Sequence, residues 1–545
     1  MADDTTRYLC AASYLDPGYS RRAITEFLVE PTRPVPPSPG LDAGRVLTEA
    51  VRARARRKNY DGLLVGLMAV VIGLSWDNPW LYGWIVLSIV LVVARAGRST
   101  VNPKVLLVLA VVAVFGWLLL TYADEIFGSS RYSSRYYDDD YYGASSGGDT
   151  ARIVVGIVLA VVVLVVVTIE RWSLWNLLTT RFKRLAPPSP DSGSLTGLLT
   201  EDFRDELARY QRQDEFAGAP GAPLVVYRGY KPFVGAGFRR DAWSMAIPLE
   251  RLEDDEDAPE ERPELTTEAL YEGIRAAIAN LRESSALSPD RRLAGLTVTE
   301  AVYTPAAELI DHLAEPEAAA FLPDIEYPPH TRLTADHVAR LRTEPKEWAR
   351  YYLCFQVETW DRDLVLTTFL HVAVDDTTLY VEWTPFMLPP IRPEYRAVDR
   401  MRQDSLRPFW QGLLAWLEMP ASLVGRIANL ASWIRQPKRE PGVLDPDRYG
   451  AANTLRELAS VNLFTDYFQL VDIERYEKII ESRLLPSIGR LLEEAGYSTA
   501  KFEEQAAVVI NNDITIGGDN RAPITQTGLR GPRLRTPGRP TRTEA

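Results

Sequence analysis

The run IVVGIVLAVVVLVVVTI, at residues 153–169, contains no charged side chain. A helix at the surface of a water-soluble protein keeps a polar stripe on its outer face, and this run has none. A transmembrane helix needs roughly 20 apolar residues, with about 17 as the lower limit, to cross about 30 Å of hydrocarbon. The run therefore predicts a membrane-spanning helix, and the interpretation of the rest of the chain starts from it.

Three more apolar runs precede this one, at residues 62–76, 80–94 and 105–122. The third is nearly as apolar as the run already quoted. The first two are short and are separated by a turn that contains Pro79, a pattern that favours a tight helical hairpin. A re-entrant or interfacial pair is the alternative. Together the four runs predict a four-helix transmembrane region at residues 61–172.

The charges that flank these runs predict the orientation of the transmembrane region. Basic residues precede the first run, lie between the second and third, and follow the fourth, as Arg52, Arg54, Arg56, Arg57, Lys58, Arg95, Arg98, Lys104, Arg171, Arg181, Lys183 and Arg184. The connection at 123–150 is rich in Tyr, Ser and Gly and carries more acidic than basic residues. Because Lys and Arg concentrate in cytoplasmic connections, we expect a multi-pass protein of the cell membrane with both termini in the cytoplasm.

Length and charge limit the classes of function. The chain has 545 residues, a net charge of −12 and a mean hydropathy of −0.13. The mean is low because a long polar part dilutes the apolar runs. An acidic chain is not suited to nucleic acid, so the partner that composition predicts is the lipid bilayer. The length favours two or more domains.

Shifts in composition divide the remaining chain into segments. Residues 1–60 are predicted to form a cytoplasmic N-terminal segment, with a Pro-rich linker and then a basic amphipathic helix at 41–58 that lies on anionic lipid. After the apolar runs we expect a linker at 173–194, a cytoplasmic α+β domain at 195–400, a helical region at 401–500, and a β-prone motif with a disordered basic tail at 501–545.

The strongest β signal lies at residues 351–388. The stretches YYLCFQVETW, LVLTTFLHVAV and LYVEWTPFML are rich in aromatic and β-branched residues, and the polar turns DRD and DDTT separate them. This pattern predicts three antiparallel strands in a meander. Since helical patterns surround the meander, the predicted fold class of the cytoplasmic domain is α+β.

A second amphipathic pattern occupies residues 410–434, where Trp, Leu and Ile recur near helical spacing and Pro420 divides the stretch in two. One interpretation is a pair of helices that lie on the membrane with their apolar faces inward. The other, which we favour slightly from the sequence, is a pair of helices that cover the sheet.

Residues with catalytic or metal-binding chemistry do not form a recognisable motif. The four histidines, His312, His330, His337 and His371, form no HExxH or other close metal-binding pair. Cys10 and Cys354 are far apart, and neither belongs to a CxxC pair. The sequence therefore predicts no catalytic residue, no metal site and no cofactor, and it leans against an enzyme without excluding one.

A glycine-containing turn is the candidate ligand site. VGAGF at residues 234–238 has Gly235 and Gly237, and Arg228 and Lys231 lie on its N-terminal side. It lacks the GKS/T of a P-loop and the third glycine of a dinucleotide fingerprint. A turn between two strands is the structural explanation, and the flanking cations keep a nucleotide or another anion as the functional one.

The C-terminal segment at 508–528 is β-prone and interrupted by Asn and Gly. Ile514 and Ile516 alternate with polar residues, and Gly517 and Asn520 follow. Identical side chains reinforce one another in a cross-β stack, so these four residues form a candidate self-assembly motif. A terminal strand that pairs with the main sheet is the alternative.

Two resemblances accompany these patterns. RYLCAASYLD at 7–16, VVYRGYKPFVGAGF at 225–238 and the meander with its LYVEW resemble a group of uncharacterised multi-pass membrane proteins of actinobacteria, a resemblance that implies the architecture but no activity. ITIGGDN at 514–520 resembles the core of the RIP homotypic interaction motif and related bacterial amyloid-signalling motifs. Pro523 departs from that pattern and should disturb a continuous strand.

These observations favour a membrane-anchored scaffold or signalling protein with a large cytoplasmic interaction domain. It would form a homo-oligomer or bind a protein partner through its C-terminal segment. The alternative is a membrane-anchored ligand-binding sensor or enzyme that uses a pocket in the 195–400 domain.

Overall fold

The computed structural model describes residues 4–36, 41–96, 146–184, 203–212, 221–252, 263–361, 363–434, 444–461, 464 and 466–512. The chain begins with two short helices, α1 (Asp4–Leu15) and α2 (Pro17–Phe27). Asp16 separates them and caps α2, because its side chain accepts a hydrogen bond from the Gly18 amide at 2.8 Å.

The third helix, α3 (Ala43–Ser75), joins the predicted basic helix and the first apolar run without a break. We expected residues 41–58 to lie on lipid, and this is wrong for the apolar face. Val46, Leu47 and Ala50 are buried in a core that α3 shares with α1 and α2. The helix is continuous because residues 45–61, just before Gly62, contain no Gly or Pro that would interrupt it. The apolar stripe of its basic half packs against α1 and α2 in place of lipid.

Three helices form what we call the apolar bundle: α3 from residue 62 onward, α4 (Pro79–Ala96) and α5 (Ser146–Arg181). Two of them, α3 and α5, are long and apolar enough to cross a membrane, and α4 is a shorter apolar helix. The prediction of four spans is therefore corrected to two within the described residues, since α4 falls short in length. The run at 105–122 lies outside them.

An eight-stranded sheet follows in the described part of the chain. Its strands are β1 (Ala222–Tyr227), β2 (Phe238–Arg239), β3 (Trp243–Pro248), β4 (Thr297–Pro305), β5 (Arg332–Leu333), β6 (Arg350–Thr359), β7 (Leu364–Val374) and β8 (Thr378–Leu388). The order is β2-β8-β7-β6-β4-β1-β5, with β3 also paired to β8. Only β1 and β4 pair in parallel among these strands. The predicted antiparallel meander is confirmed as β6, β7 and β8.

Two long helices cover one face of this sheet: α7 (Thr267–Ala279) and α14 (Tyr467–Glu494). The Thr266 side chain caps α7 by accepting from the Ala269 amide. Side chains such as Ile473 and Leu484 of α14 are fully buried in the main core of the domain. The mixed α+β fold class is thus confirmed.

The remaining α-helices of the described residues are shorter: α6 (Arg204–Arg212), α8 (Ala306–Asp311), α9 (Ala335–Thr343), α10 (Pro393–Arg396), α11 (Arg407–Leu417), α12 (Met419–Ala431), α13 (Leu455–Ala459) and α15 (Ala500–Asn512). The last of these corrects part of a prediction, because residues 508–512 of the expected β-prone segment are helical. Phe502 and Ala506, one helical turn apart, are buried against the core, and this burial favours the helix.

Candidate functional site

The VGAGF turn lies on the second face of the sheet, and an aromatic side chain anchors it. The Phe233 ring stacks on Phe369 at 4.0 Å between centroids, and it meets Tyr303, Tyr352 and Phe386 edge to face at about 5 Å. All five rings belong to one buried cluster, so the turn covers this face much as α7 and α14 cover the other.

The two glycines give the turn its shape. Gly235 and Gly237 both have positive φ angles, of 95° and 90°. A side chain at Gly237 would also collide with the backbone carbonyl of Met387 in β8. A residue with a Cβ atom is disfavoured at both positions, so the structural explanation for these glycines holds.

A carboxylate of the same chain occupies the anion-binding face of the turn. The Gly237 amide donates to Glu457 Oε1 at 3.1 Å, and the Gly235 amide also donates to this carboxylate. The Thr454 amide donates to Glu457 Oε2 at 2.8 Å, as part of the capping box that starts α13. Backbone amides that could hold a phosphate therefore hold Glu457.

Burial changes the protonation of this carboxyl group. The pKa of Glu457 is raised above its ordinary value of 4.5, because loss of solvent disfavours the charged form more than the amides of Thr454, Gly237 and Gly235 favour it. The amides still orient the group. Glu457 is thus a buried acid held at the turn by neutral donors.

The four predicted turn residues do not converge on one pocket. A cavity of about 340 Å³ lies beside the turn on the second face of the sheet, and of the four residues only Gly235 lines it. Arg228 forms an ion pair with Glu26 of α2, and Lys231 is exposed near the Phe238 ring. Ligand binding at the turn stays a prediction, and it requires displacement of Glu457.

The remaining chemistry-bearing residues are placed as follows. His371 donates from Nδ1 to the Tyr351 carbonyl at 3.1 Å, and burial lowers the pKa of its imidazole. Cys10 and Cys354 are buried thiols whose pKa is raised by burial. Within the described residues, no group of three or more His, Cys, Asp or Glu side chains is arranged to hold a metal ion.

The candidate self-assembly residues Ile514, Ile516, Gly517 and Asn520 lie outside the described residues, which end at Asn512. The predicted role of this segment therefore stays a prediction.

The amphipathic stretch at 410–434 forms the α11–α12 hairpin, and it packs on the apolar bundle. The Trp416 indole donates to the Ala160 carbonyl in the middle of α5 at 2.9 Å, and the Trp84 indole of α4 donates to the Trp416 carbonyl at 3.2 Å. Met419, at the start of α12, is fully buried in a cluster formed mainly by the three bundle helices. The favoured sequence interpretation, a cover for the sheet, is wrong for these side chains.

Gly412 of α11 allows this packing, because its lack of a side chain lets α11 approach the backbone of α5 closely. At Gly412 an added Cβ would lie 2.9 Å from the Cα of Thr168 in α5. Small residues at such contacts are typical of helices that associate within membranes. The sequence pattern predicts that one face of these helices is buried, but it does not decide whether the apolar bundle or the sheet buries it.

Polar contacts fix the two ends of the hairpin. Arg95 of α4 pairs with Glu418 at the turn of the hairpin, at 3.0 Å. At the other end, Asp61 of α3 pairs with Arg426 of α12. Lys58 donates to the Ser432 carbonyl at 2.8 Å. None of these pairings was visible in the sequence, because more than 300 residues separate the partners.

Comparison with known proteins gives a family match that includes six of the eight described strands and the hairpin, and leaves out β1 and β2. A family model described as an AbeC-like domain matches residues 242–522, just over half of the chain. No curated protein and no solved structure matches. The matched range begins just before β3 and includes the meander, α7, α14 and the α11–α12 hairpin. The chain therefore belongs to the AbeC-like domain family, whose function is uncharacterised.

Proposed function

We propose that this protein is a multi-pass membrane protein with cytoplasmic termini, in which the AbeC-like domain acts as a membrane-anchored scaffold or signalling module. The observation that supports this most is the α11–α12 hairpin. It belongs to the matched domain, yet its inner face packs on the apolar bundle. The domain and its anchor are therefore coupled through shared side-chain packing as well as through the chain.

The outer face of the hairpin supports a lipid environment. Phe409, Trp410, Val424 and Ile427 are exposed there, and Val424 is 76% exposed. They extend the exposed apolar surface of the bundle, which includes Val86, Val93, Ile157 and Val161. Water-soluble monomers rarely expose an apolar surface of this extent, whereas lipid solvates it without cost.

Cysteine labelling tests the membrane placement directly. The two native cysteines are buried, so a membrane-impermeant maleimide should give a low background. In inside-out vesicles we expect a cysteine at Val424 (V424C) to be protected. A cysteine at Tyr230 (Y230C), which is 84% exposed between β1 and β2 of the sheet, should react fully.

Two outcomes would contradict the proposal. Equal labelling of V424C and Y230C would place the hairpin in water. Labelling of Y230C in intact cells would place the sheet outside the cytoplasm.

The scaffold role extends to the C-terminal segment, through which we propose self-association or binding of a protein partner. Its support is the alternation of Ile514 and Ile516 with polar residues before Gly517 and Asn520. A synthetic peptide of residues 508–528 should form fibres that bind thioflavin. A peptide that stays soluble and unstructured would remove this mechanism.

A ligand-binding sensor is the second candidate function. The cavity beside the VGAGF turn supports it, because its volume falls within the range of small-molecule sites and polar side chains such as Thr299, Gln356 and Thr367 line it. Thermal-shift screening of the full chain against nucleotides and lipids tests this candidate. A ligand that raises the unfolding temperature of wild type, with a larger effect in Glu457→Ala, would favour a sensor that binds at the turn.

A further inference from the structure

A second cavity, of about 700 Å³, lies where the apolar bundle meets the N-terminal helices and the α11–α12 hairpin. Asp61 and Glu170 line it. These are the first charged residues beyond the apolar stretches of α3 and α5. The cavity, which we call the interface cavity, is therefore at the level where the two candidate spans leave the hydrocarbon, on the side of the AbeC-like domain.

The lining of the interface cavity is strongly cationic. Six arginines contribute to it: Arg21, Arg54, Arg56, Arg57, Arg171 and Arg426. Among the described residues, Asp61 and Glu170 are the only carboxylates in the lining, so these residues give a formal surplus of four positive charges. Such a surplus in a partly enclosed site attracts anions, because low-dielectric walls focus the field.

The two carboxylates do not neutralise these arginines evenly. Asp61 pairs with Arg426 and accepts a hydrogen bond from the Asn429 amide group at 2.6 Å. Glu170 lies 4.0 Å from the same Arg426. Both acidic groups thus face α12. Among the described residues, Arg54, Arg57 and Arg171 form no ion pair with a carboxylate, and Arg57 feels Asp61 and Glu170 only through space.

Among the described residues, Arg54 and Arg57 donate only to backbone carbonyls, whereas Arg56 also donates to the Ser173 hydroxyl. Arg54 donates to the Ser432 carbonyl at 3.1 Å, and Arg57 donates to the Tyr14 carbonyl at 3.1 Å. The Nε of Arg171 is buried with no hydrogen-bond partner in the described structure. A guanidinium has five donors, so Arg54, Arg57 and Arg171 each keep donors for an anion, and burial without one is unfavourable.

The side chains that line the cavity indicate which class of anion it would bind. Guanidinium groups bind phosphate oxygens in a bidentate manner, and several around one site favour a phosphate over a single carboxylate. Leu174, Leu178 and Ile434 supply an apolar part of the wall. A molecule with a phosphate joined to an apolar chain fits such a mixed lining, and basic pockets between transmembrane helices on the cytoplasmic side are suited to lipid headgroups.

We propose that the interface cavity binds the phosphate headgroup of an anionic membrane lipid, with Arg54, Arg57 and Arg171 as its ligands. This inference rests on the membrane placement proposed above. Because α3, α5 and the α11–α12 hairpin all contribute to the wall, the bound headgroup joins the anchor to the AbeC-like domain. The lipid composition of the membrane then influences how firmly the domain is held.

Native mass spectrometry of the full chain, released from detergent micelles, tests this proposal. The probes are phosphatidylglycerol, phosphatidylcholine and water-soluble glycerol phosphate. We expect phosphatidylglycerol to be retained selectively. In the double variant Arg54→Gln/Arg171→Gln its Kd should rise at least roughly tenfold for each arginine lost, because a charged hydrogen bond contributes at least one decade of affinity.

Arg402→Gln is the matched control, since the Arg402 side chain is 79% exposed and, among the described residues, pairs only with neighbouring Asp404. It should retain phosphatidylglycerol as wild type does. An unfolding temperature in phosphatidylcholine nanodiscs equal to that of wild type shows that the double variant is folded.

Three results would overturn the inference. Wild type could retain both phospholipids equally, or the double variant could keep the affinity of wild type. Glycerol phosphate that binds as tightly as phosphatidylglycerol would assign the cavity to a soluble phosphate ester. A chain that enters nanodiscs with V424C protected, yet shows any of these results, retains the proposed function and loses only the lipid site.

Discussion

Two pairs of amphipathic helices in the same domain differ in what surrounds them. The α7–α14 pair packs on the sheet and the α11–α12 hairpin packs on the apolar bundle, and both bury aliphatic or aromatic side chains on their inner faces. On the outer face of α14 the exposed side chains include Glu474 and Lys478. On the hairpin they include Phe409, Val424 and Ile427, beside the polar Arg407 and Gln411 near the start of α11.

This difference shows what helical periodicity can and cannot reveal. A repeat of apolar residues shows that one face is buried, but the repeat is the same whether a sheet or a membrane helix buries it. The residues on the opposite face carry the missing information, because water favours charged side chains there and lipid favours apolar ones.

The largest expected effect is on the free energy of unfolding when an apolar side chain is shortened in the α7–α14 pair, compared with the same kind of change in the α11–α12 hairpin. Leu484 of α14 is fully buried in the main core. Leu484→Ala should lower the free energy of unfolding of the sheet by about 2–5 kcal/mol, because it leaves a cavity. Urea unfolding of the full chain in nanodiscs, followed by circular dichroism, measures this loss.

Ile427→Ala is the matched change on the outer face of the hairpin, where the side chain is 51% exposed. If lipid surrounds Ile427, the smaller side chain leaves no cavity, and the free energy of unfolding should change by less than about 0.5 kcal/mol. A loss as large as that of Leu484→Ala would show that another part of the protein covers this face.

A smaller effect tests the contact between the hairpin and α5. Gly412→Ala places a methyl group against the Thr168 backbone and should destabilise the hairpin by about 1–3 kcal/mol. Gly425→Ala, on α12, meets no atom within 4 Å and should stabilise its helix by about 0.5–1 kcal/mol. Hydrogen exchange of the hairpin amides measures both changes.

The critical result is that Gly412→Ala and Gly425→Ala change the stability of the hairpin in opposite directions. If both substitutions slow the exchange of the hairpin amides, the hairpin does not approach α5 as closely as the structure shows.

The smallest effect concerns the second face of the sheet, where Glu457 holds the VGAGF turn. Its pKa is raised in the folded protein, so the folded state binds more protons than the unfolded state above about pH 4.5. The stabilisation from the protonated carboxyl is complete below that pH and is lost as the pH rises through the raised pKa. Glu457→Gln should remove this component of the pH dependence.

Urea unfolding of wild type and Glu457→Gln between pH 4 and pH 8 measures the difference. We expect the stability of wild type, relative to the variant, to fall as the pH rises, by an amount below about 1.4 kcal/mol for each unit of pKa shift. A relative stability that rises with pH would mean that the amides of the turn favour the charged form more than burial opposes it.

Much of the fold could be predicted because it depends on local pattern. The meander and the apolar character of α3 and α5 are encoded within short windows of sequence. The basic helix at 41–58 was misplaced because its stripe is equally suited to lipid or to α1 and α2. The helical start of the 508–528 segment was missed because burial of Phe502 and Ala506 outweighed β propensity.

The candidate sites were less predictable because they combine distant residues. The glycines of the VGAGF turn are visible in the sequence, and so is the capping box of Thr454 and Glu457, but nothing in the sequence brings them together. The same holds for the interface cavity. In the sequence, Arg54 and Arg57 indicate orientation and a basic helix that lies on anionic lipid. That they line a cavity depends on the position of α12.

The contact between Gly412 and Thr168 has a consequence for biosynthesis. The ribosome completes α5 long before it reaches the hairpin, so α11 and α12 pack beside α5 only after the meander has been synthesised, and in the proposed topology they would do so from the cytoplasm. A domain expressed without residues 1–184 would expose Trp416 and Met419 to water. Such a fragment should aggregate or recruit detergent, and heterologous production will succeed best when both halves are made as one polypeptide.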